Sequence, residues 1–524
     1  AGAQHRSDGA RSVSRRNGAT GRVTPVPEVD RRAPVIVGVG QTSQRLAPHQ
    51  ARAPIDLLAD AARSADADAR ASSSLLARAD VVAVVAIGSW RYADPGALLA
   101  RKLGIAPRAT AVSTVGGNSP QLLIDEFALR IQRGDCDVVL VGGAESMHTR
   151  WRARREPRVE LQWESGDDPP CPVVIGDDTP GSSEYEMAHL AVAPTMVYPL
   201  FETALRSKLG HGVDEHQRYV SEMWSGFAEV AAGNPNAWSR VAYTPQEIRT
   251  ISPDNRAVCF PYPKRMCANI DVDQGAAVLL CSYEAARAAG VPDDRMVFLH
   301  AAAEAHDHWF VTERWSLAES PAIAATGAAV FEATGTGVDD IAHFDLYSCF
   351  PSAVQIGRAA LGIAPDDRRP LTVTGGLGFA GGPVNNYPTH GIAAMVDRLR
   401  ARPGDLGLTT ALGWYVTKHT AAIWSTRPPT RPFERVNVQA AVDAQPAREP
   451  AGLVATEATI EATSIAFERD GTPSVGIVTA IADDGRRVIA NARDADMLGA
   501  MTAQPWEGRR VKFGNDGTTN TIAG

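Results

Sequence analysis

The chain has little cysteine for its length, and it has no long apolar run. Its six cysteines are scattered through 524 residues, at positions 136, 171, 259, 267, 281 and 349, and no two of them form a CxxC pair. Disulfides and a zinc site are therefore not expected, and a reducing, cytoplasmic compartment fits best. No apolar run reaches the roughly 18 residues that a membrane-spanning helix needs.

The chain also lacks an excess of positive charge. Its net charge is −8, which argues against nucleic acid as the main partner. Nearly all of the basic residues are arginine, a composition typical of GC-rich bacterial genomes. Residues 1–34 carry seven arginines but no apolar core of the kind found in signal peptides, so we expect them to form a flexible extension.

From residue 35 onward, short apolar strands alternate with helical stretches, which predicts an α/β fold with more than one domain. Strands are predicted over 35–40, 79–90, 136–147, 341–350 and 406–416. Helices are predicted over 94–104, 120–135, 351–362 and 389–405. The pentapeptide LGIAP occurs at 103–107 and again at 361–365, each time after a strand and a helix. Two related halves around a shared site are therefore expected.

Three further segments differ in character from this alternation. Residues 148–257 are rich in Arg, Trp, Pro and Asp, and we interpret them as an inserted loop domain with helices over 197–210 and 214–233. Residues 427–450 have the composition of a proline-rich linker. Residues 451–524 contain four strand patterns joined by turns, which predicts a small all-β unit resembling a five-stranded OB barrel. Few aromatic residues make nucleic-acid binding by this unit improbable, and a docking or lid role is favoured.

The stretch VSTVGGNSPQ at residues 112–121 follows an apolar run and opens a helix, yet it contains no nucleophile. Asn118 or Ser119 is expected to cap this helix, with Pro120 at its first position. Free backbone N–H groups at such a helix start favour negative charge, including a developing enolate or oxyanion. A purely structural capped helix explains the same residues equally well.

Four blocks, in this order, resemble the thiolase superfamily, especially the sterol-carrier-protein type and related thiolase-like proteins. They are DVVLVGGAESM at 137–147, DVDQGAAVLL at 271–280, DLYSCF at 345–350 and GGLGFAGGP at 375–383. The resemblance implies two βαβαβαβ halves, at 35–290 with the loop insertion and at 291–426. It also implies a site that binds CoA or an acyl-CoA, without a metal or a redox nucleotide.

The resemblance also implies that this chain lacks the cysteine and histidine side chains on which thiolase chemistry depends. The nucleophilic cysteine position falls on Gly117, the histidine of the G-H-P block is absent from Gly381–Pro383, and the C-x-G block reads as Ala411–Gly413. Tyr347 stands where the H-D-C-F block has its histidine. A two-cysteine thiolase mechanism is therefore not expected. Cys349 is close to the predicted site and is expected only to pack.

Three side chains are candidates to replace the missing acid and base groups. Tyr347 can donate to a carbonyl oxygen, or act as a base if its pKa is low. His390 is expected to open the helix after the Gly-rich loop, which begins with GGLGFAGGP and includes Asn385 and Asn386. His419 is expected just past the last strand of the second half. Structural or surface roles remain open for all three. Asn385 and Asn386 in the Gly-rich loop are candidate oxyanion donors.

Binding of CoA phosphates is expected in the insertion, where HTRWRARRE at 148–156 groups four arginines with a tryptophan. The candidates are Arg150, Trp151, Arg152, Arg154 and Arg155, with Lys418 as a further phosphate-neutralising group. A solvated charged face is the alternative for this cluster.

These observations predict a thiolase-like protein that recognises CoA or an acyl-CoA and resembles acetyl-CoA acetyltransferases, with cysteine-independent or absent chemistry. A lyase that cleaves a β-hydroxyacyl-CoA by a retro-aldol reaction is one alternative. A non-catalytic acyl-CoA binder or scaffold is another. The oligomeric state is left open.

Overall fold

The computed structural model describes residues 29–155 and 159–522, so the extension expected at 1–34 lies mostly outside the described residues. The strands of the first half and its insertion are β1 (Pro34–Ser43), β2 (Val81–Val84), β3 (Ala109–Ser113), β4 (Val138–Ser146), β5 (Val174–Ile175), β6 (Ala257–Phe260), β7 (Tyr262–Pro263) and β8 (Asp273–Ser282). The helices are α1 (Pro54–Asp68), α2 (Pro95–Leu103), α3 (Ser119–Arg133), α4 (Met147–Arg155), α5 (Glu184–Ala188), α6 (Pro194–Leu209), α7 (Val213–Gly233), α8 (Pro245–Arg249) and α9 (Tyr283–Ala288).

The second half and the C-terminal region follow in the same way. Their strands are β9 (Val297–His306), β10 (Ile341–Asp345), β11 (Leu406–Gly413), β12 (Lys418–Ser425), β13 (Glu434–Asn437), β14 (Thr456–Phe467), β15 (Pro473–Ala482), β16 (Arg487–Ala492), β17 (Arg510–Asn515) and β18 (Asn520–Ile522). The helices are α10 (Pro321–Thr334), α11 (Pro351–Ala360), α12 (Gly376–Phe379), α13 (Tyr387–Ala401), α14 (Gln439–Asp443) and α15 (Ala495–Ala503).

One sheet runs through both halves, in the order β10-β11-β12-β9-β1-β8-β4-β2-β3-β5, with β13 beside β9. Every residue of β4 and β8 is buried, because both faces of these central strands are covered. The order β2-β4-β8-β1 repeats as β10-β11-β12-β9, each with one parallel and two antiparallel pairings. The predicted duplication is therefore confirmed.

Several predicted strands end earlier than their apolar runs. The run at 79–90 forms a strand only over Val81–Val84, and the backbone N–H groups of Gly88 and Ser89 then turn to the carboxylate of Glu145. The strand predicted over 406–416 ends at Gly413, where the chain reverses through the positive φ angles of Trp414 and Val416. His419 therefore lies inside β12 and not past the last strand.

The C-terminal strands close into a barrel in the order β14-β15-β16-β18-β17-β14, and α15 lies between β16 and β17 along the chain. The pairing of β16 with β18 is parallel and the others are antiparallel. This five-stranded barrel confirms the predicted OB-like unit. The pattern of the sequence did not reveal β18, because only three residues pair there and two of them are polar.

The barrel is packed tightly against the insertion. Strand β14 pairs with β6 at Cys259 and Phe260, so that the barrel shares a sheet with the segment that directly follows the insertion. Arg206 of α6 forms an ion pair with Glu507, and both side chains are almost fully buried. Arg487 is also fully buried and donates to the main-chain carbonyls of Val311 and Thr312. The barrel is thus fixed to the body by buried polar contacts.

Segment 427–450 contains β13 and α14, both of which lie against β9. Each of the six cysteines is a buried, free thiol. Among residues 29–155 and 159–522, no helix has the length and apolar character needed to cross a membrane.

Candidate active site

The loop from β3 to α3 brings Gly116 and Gly117 to the start of α3. The helix begins at Ser119, but neither Asn118 nor Ser119 caps it with a side chain. The Ser119 hydroxyl donates instead to the carbonyl of Thr114 at 2.8 Å. The side chain of Asn118 turns away from the helix toward Gly413, and its Oδ1 is buried with no hydrogen-bond partner among the described residues. The prediction that one of these side chains caps the helix is therefore wrong, because the Ser119 hydroxyl bonds within the loop and the Asn118 side chain points away from the helix.

The hydroxyl group of Tyr347 fills the space beside Gly117. A Cβ atom at Gly117 would collide with this hydroxyl and with the carbonyl oxygen of Leu412. Tyr347 is buried, and burial together with the neighbouring Cys349 raises its pKa well above the ordinary phenol value. At neutral pH this side chain is a neutral phenol, which can donate a hydrogen bond but is a poor base.

Tyr387 is a site residue that the sequence analysis missed. Its ring meets the ring of Tyr347 edge to face, with 5.7 Å between centroids. Its hydroxyl lies 2.7 Å from Thr374 Oγ1 and donates to Asp345 at 3.2 Å. Burial raises the pKa of Asp345 to about 6. The signal available in the sequence was a tyrosine directly after Asn385 and Asn386 in the Gly-rich loop.

His419 is held by a buried carboxylate. Its Nε2 lies 3.1 Å from Oδ2 of Asp307, which follows β9 directly. Although burial opposes ionisation, the hydrogen bond and charge of His419 lower the pKa of Asp307. Asp307 is further held by the hydroxyl of Ser320 and the backbone N–H of Ala322. His419 and Tyr347 line one small void of about 10 Å³, so the fold brings these two candidates together.

His390 lies apart from that pair. It sits in the first turn of α13, where its Nδ1 is 2.8 Å from Oε1 of Gln41. Burial lowers its pKa to about 3, and its buried Nε2 has no partner among the described residues. His390 lines neither the void shared by Tyr347 and His419 nor the larger cavity beside Lys418. The structure therefore does not gather all three candidates at one pocket, since α13 carries His390 toward β1.

Lys418 lies on the other side of the glycine pair. Its Nζ is 3.0 Å from the position of a Cβ at Gly116 and donates to the carbonyls of Val115 at 2.6 Å and Asp177 at 3.0 Å. A cavity of about 310 Å³ adjoins it, which we call the Lys418 cavity. Its lining includes Asn118, His306, Trp309, Lys418, His419 and Arg435.

The two asparagines of the Gly-rich loop hold backbone. Asn385 accepts from the N–H of Gly116 at 3.0 Å and donates to Ala86, and Asn386 donates to Gly143 at 2.6 Å. Their amide N–H groups are thus directed at main-chain carbonyls. These contacts hold the Gly-rich loop against β4 and against the segment that follows β2, so both asparagine side chains bind backbone.

The arginine group on α4 divides into anchored and exposed members. Arg150 donates to the carbonyls of Gly88 at 3.0 Å and Ser89 at 3.1 Å, and Arg152 contacts the carbonyl of Leu46. Arg154 and Arg155 are exposed, while Trp151 is half-buried. The loop that Arg150 holds is also bound by Glu145, whose pKa burial raises to about 7.

Comparison with known proteins identifies relatives of this chain. Residues 437–518 match the family described as the thiolase-like protein type 1 additional C-terminal domain. A crystal structure of a monomeric SCP2-thiolase-like protein type 1 from Mycobacterium smegmatis is 31% identical, with a TM-score of 0.81, and covers 95% of this chain and 100% of that one. A comparison with curated proteins finds no match.

Two more distant structures share the fold. The Ltp2-ChsH2(DUF35) aldolase is 20% identical, with a TM-score of 0.57 over 75% of this chain and 98% of that one. The dimeric peroxisomal thiolase of Saccharomyces cerevisiae is 15% identical, with a TM-score of 0.55 over 76% of this chain and 99% of that one.

Proposed function

Because the chain belongs to the thiolase superfamily, as an SCP2-thiolase-like protein of type 1, we propose that it recognises CoA or an acyl-CoA without cysteine-based acyl transfer. The observation that carries this proposal is the contact between Gly117 and Tyr347. No side chain fits at Gly117 while the Tyr347 hydroxyl and the Leu412 carbonyl stay in place. Cys349 does not replace the nucleophile, because burial raises the pKa of its thiol to about 12.

A second candidate function is retro-aldol cleavage of a β-hydroxyacyl-CoA. Two observations favour it, the edge-to-face pair of Tyr347 and Tyr387 and the fold shared with a protein described as an aldolase. In this reaction a base takes the β-hydroxyl proton, the bond between the α and β carbons breaks, and its electrons enter the thioester as an enolate. A neutral Tyr347 is suited to donate to that enolate oxygen. His419, oriented by Asp307, is the group placed to take the proton.

A non-catalytic role is the third candidate, and the size of the void favours it. The void lined by Tyr347 and His419 measures about 10 Å³, which leaves no room for a thioester in this conformation. A scaffold of this kind would bind the CoA portion at the surface and perform no chemistry.

Calorimetric titration with CoA, acetyl-CoA and a β-hydroxyacyl-CoA tests the shared part of these proposals. We expect binding, and no heat with any of the three at millimolar ligand would overturn CoA recognition. Assays of the same esters for thiolysis and for retro-aldol cleavage then separate the candidates. A Tyr347→Phe variant keeps the ring and removes only the donor. Retro-aldol activity that falls on the order of 10²-fold or more in this variant supports the lyase. Thiolysis that survives Cys349→Ala would mean that another nucleophile acts.

We also propose that the chain is a monomer. The similar mycobacterial protein is described as monomeric, and in this chain β5 pairs with one end of the outer edge of β3. A covered edge strand is a poor template for pairing with a second copy. Light scattering at several concentrations should give the mass of one chain, and a stable dimer would contradict the proposal.

A further inference from the structure

Lysine is rare in this chain, and one lysine occupies an unusual place. The sequence has five, Lys102, Lys208, Lys264, Lys418 and Lys512. Lys102 and Lys208 form ion pairs with acidic side chains, and Lys264 and Lys512 are exposed. Only Lys418 is buried, at 5% exposure. Fully buried lysines are uncommon unless they are paired with an opposite charge.

The contacts of Lys418 suit a neutral amine. Its Nζ has two hydrogen-bond partners among the described residues, the carbonyls of Val115 and Asp177, and it forms no ion pair with a described carboxylate. A neutral primary amine has two N–H donors, which these carbonyls satisfy, and one lone pair, which is left free. An ammonium would carry a third donor without a partner.

The surroundings of Lys418 act on its pKa in opposite directions. Burial is the largest influence and lowers its pKa, while the carboxylates of Asp177 and Asp178 raise it. The ring of Trp414, 5.7 Å from Nζ, also favours the charged form. The net effect is a lowered pKa. A desolvated lysine of this type is the usual form of a nucleophilic amine.

Lys418 also has space for a reaction partner. The Lys418 cavity of about 310 Å³ is large enough for a small organic molecule, and Trp309 supplies an aromatic wall. His306 and His419 line the same space and are able to carry a proton. Asn118 also lines this cavity, and its Oδ1 is buried without a hydrogen-bond partner among the described residues.

We propose that Lys418 is a carbonyl-reactive amine, which captures a small aldehyde or ketone in the Lys418 cavity as an imine. The amine lone pair attacks the carbonyl carbon, and a proton passes from nitrogen to the former carbonyl oxygen. The resulting carbinolamine then loses that oxygen as water, which leaves a C=N bond to Nζ. No oxidant or reductant is consumed. This activity goes beyond the proposed function and does not depend on CoA binding.

Reductive trapping on the unmodified protein tests the proposal without any variant. The folded chain is incubated at pH 7 with propanal or acetone and sodium cyanoborohydride, which reduces imines, and alkylation of each lysine is followed by peptide mass spectrometry. We expect Lys418 to be alkylated on the order of tenfold faster than exposed Lys264 and Lys512, because the Lys418 cavity holds the carbonyl compound beside this amine. A rate for Lys418 equal to or below theirs overturns the proposal.

Two controls separate an active site from a generally reactive side chain. In a chemically unfolded chain the preference for Lys418 should disappear, since it depends on burial. A Lys208→Arg variant should keep the preferential labelling, whereas Lys418→Arg should remove it and leave Lys264 and Lys512 unchanged. Should Lys418→Arg fail to fold, the rates in the unmodified protein still decide between the two outcomes.

Discussion

The hydroxyl group of Tyr347 occupies the space that a side chain on Gly117 would need. The two residues are far apart in sequence, but each depends on the other. The glycine at the start of α3 leaves room for the phenol, and the phenol fills the space that any larger residue at this position would need.

This packing predicts how a single added methyl group at Gly117 affects stability. Gly117→Ala should lower the free energy of unfolding by about 1–3 kcal/mol, because the new Cβ meets a backbone carbonyl that cannot move freely. Gly382→Ala is the matched control, since its Cβ would lie 3.4 Å from the side chain of Leu377, an ordinary contact. Urea unfolding followed by circular dichroism measures both. Equal stability of the two variants would mean that Tyr347 and the Leu412 carbonyl can move aside at little cost in free energy.

The buried ion pair between the body and the barrel predicts a large effect. Arg206→Met should destabilise the protein by about 3–5 kcal/mol, because it leaves the carboxylate of Glu507 buried without its partner. Arg486→Met is the control, because its pair with Asp484 is about half exposed and should be worth about 0–1 kcal/mol. The double variant Arg206→Met/Glu507→Leu should recover much of the loss, and a double variant no better than the single one would argue against this explanation.

A buried carboxyl on α3 predicts a specific pH dependence. Burial raises the pKa of Asp125 to about 8, despite the hydrogen bond from Gln121. The folded state thus holds a proton that the unfolded state releases near pH 4, so this contribution is complete at low pH and is lost as pH rises toward 8. The loss is at most about 1.4 kcal/mol per pH unit.

An Asp125→Asn variant removes this titration. Its stability relative to the unmodified protein should therefore increase steadily from pH 4 to pH 8, as measured by unfolding at several pH values. The exposed Asp484→Asn variant should show no such trend between pH 5 and pH 9, because Asp484 is ionised in both states there. A flat curve for Asp125→Asn would show that the carboxyl ionises normally in the folded state.

The division within the α4 arginines predicts two different phenotypes. The double variant Arg154→Ala/Arg155→Ala should weaken CoA binding about tenfold with little change in stability, because both side chains are exposed. Arg150→Ala should instead loosen the loop at Gly88 and Ser89 and lower stability. Arg469→Ala/Arg493→Ala on the barrel is the matched control for calorimetry with CoA. Unchanged CoA affinity in the α4 double variant would place the nucleotide elsewhere.

The sequence alone determined the architecture of this protein. Alternating apolar strands and helices, the repeated order of elements and the strand patterns after residue 451 predicted a duplicated α/β body with a small barrel, and both are confirmed. These features follow from the local periodicity of apolar residues, which can be read directly from the sequence. The absence of a nucleophile at Gly117 was equally visible, because it needed only the order of motifs.

Only the tertiary structure decided which side chains meet. The sequence contained Tyr347, His390 and His419 as equivalent candidates, but packing joins Tyr347 to Tyr387 and His419 to Asp307, and it ties His390 to Gln41. Likewise, nothing local marks Lys418 as buried, since its carbonyl partners at Val115 and Asp177 come from distant loops. These contacts join residues that are from 40 to 349 positions apart, so they depend on how the sheet orders its strands, and no local pattern encodes that order.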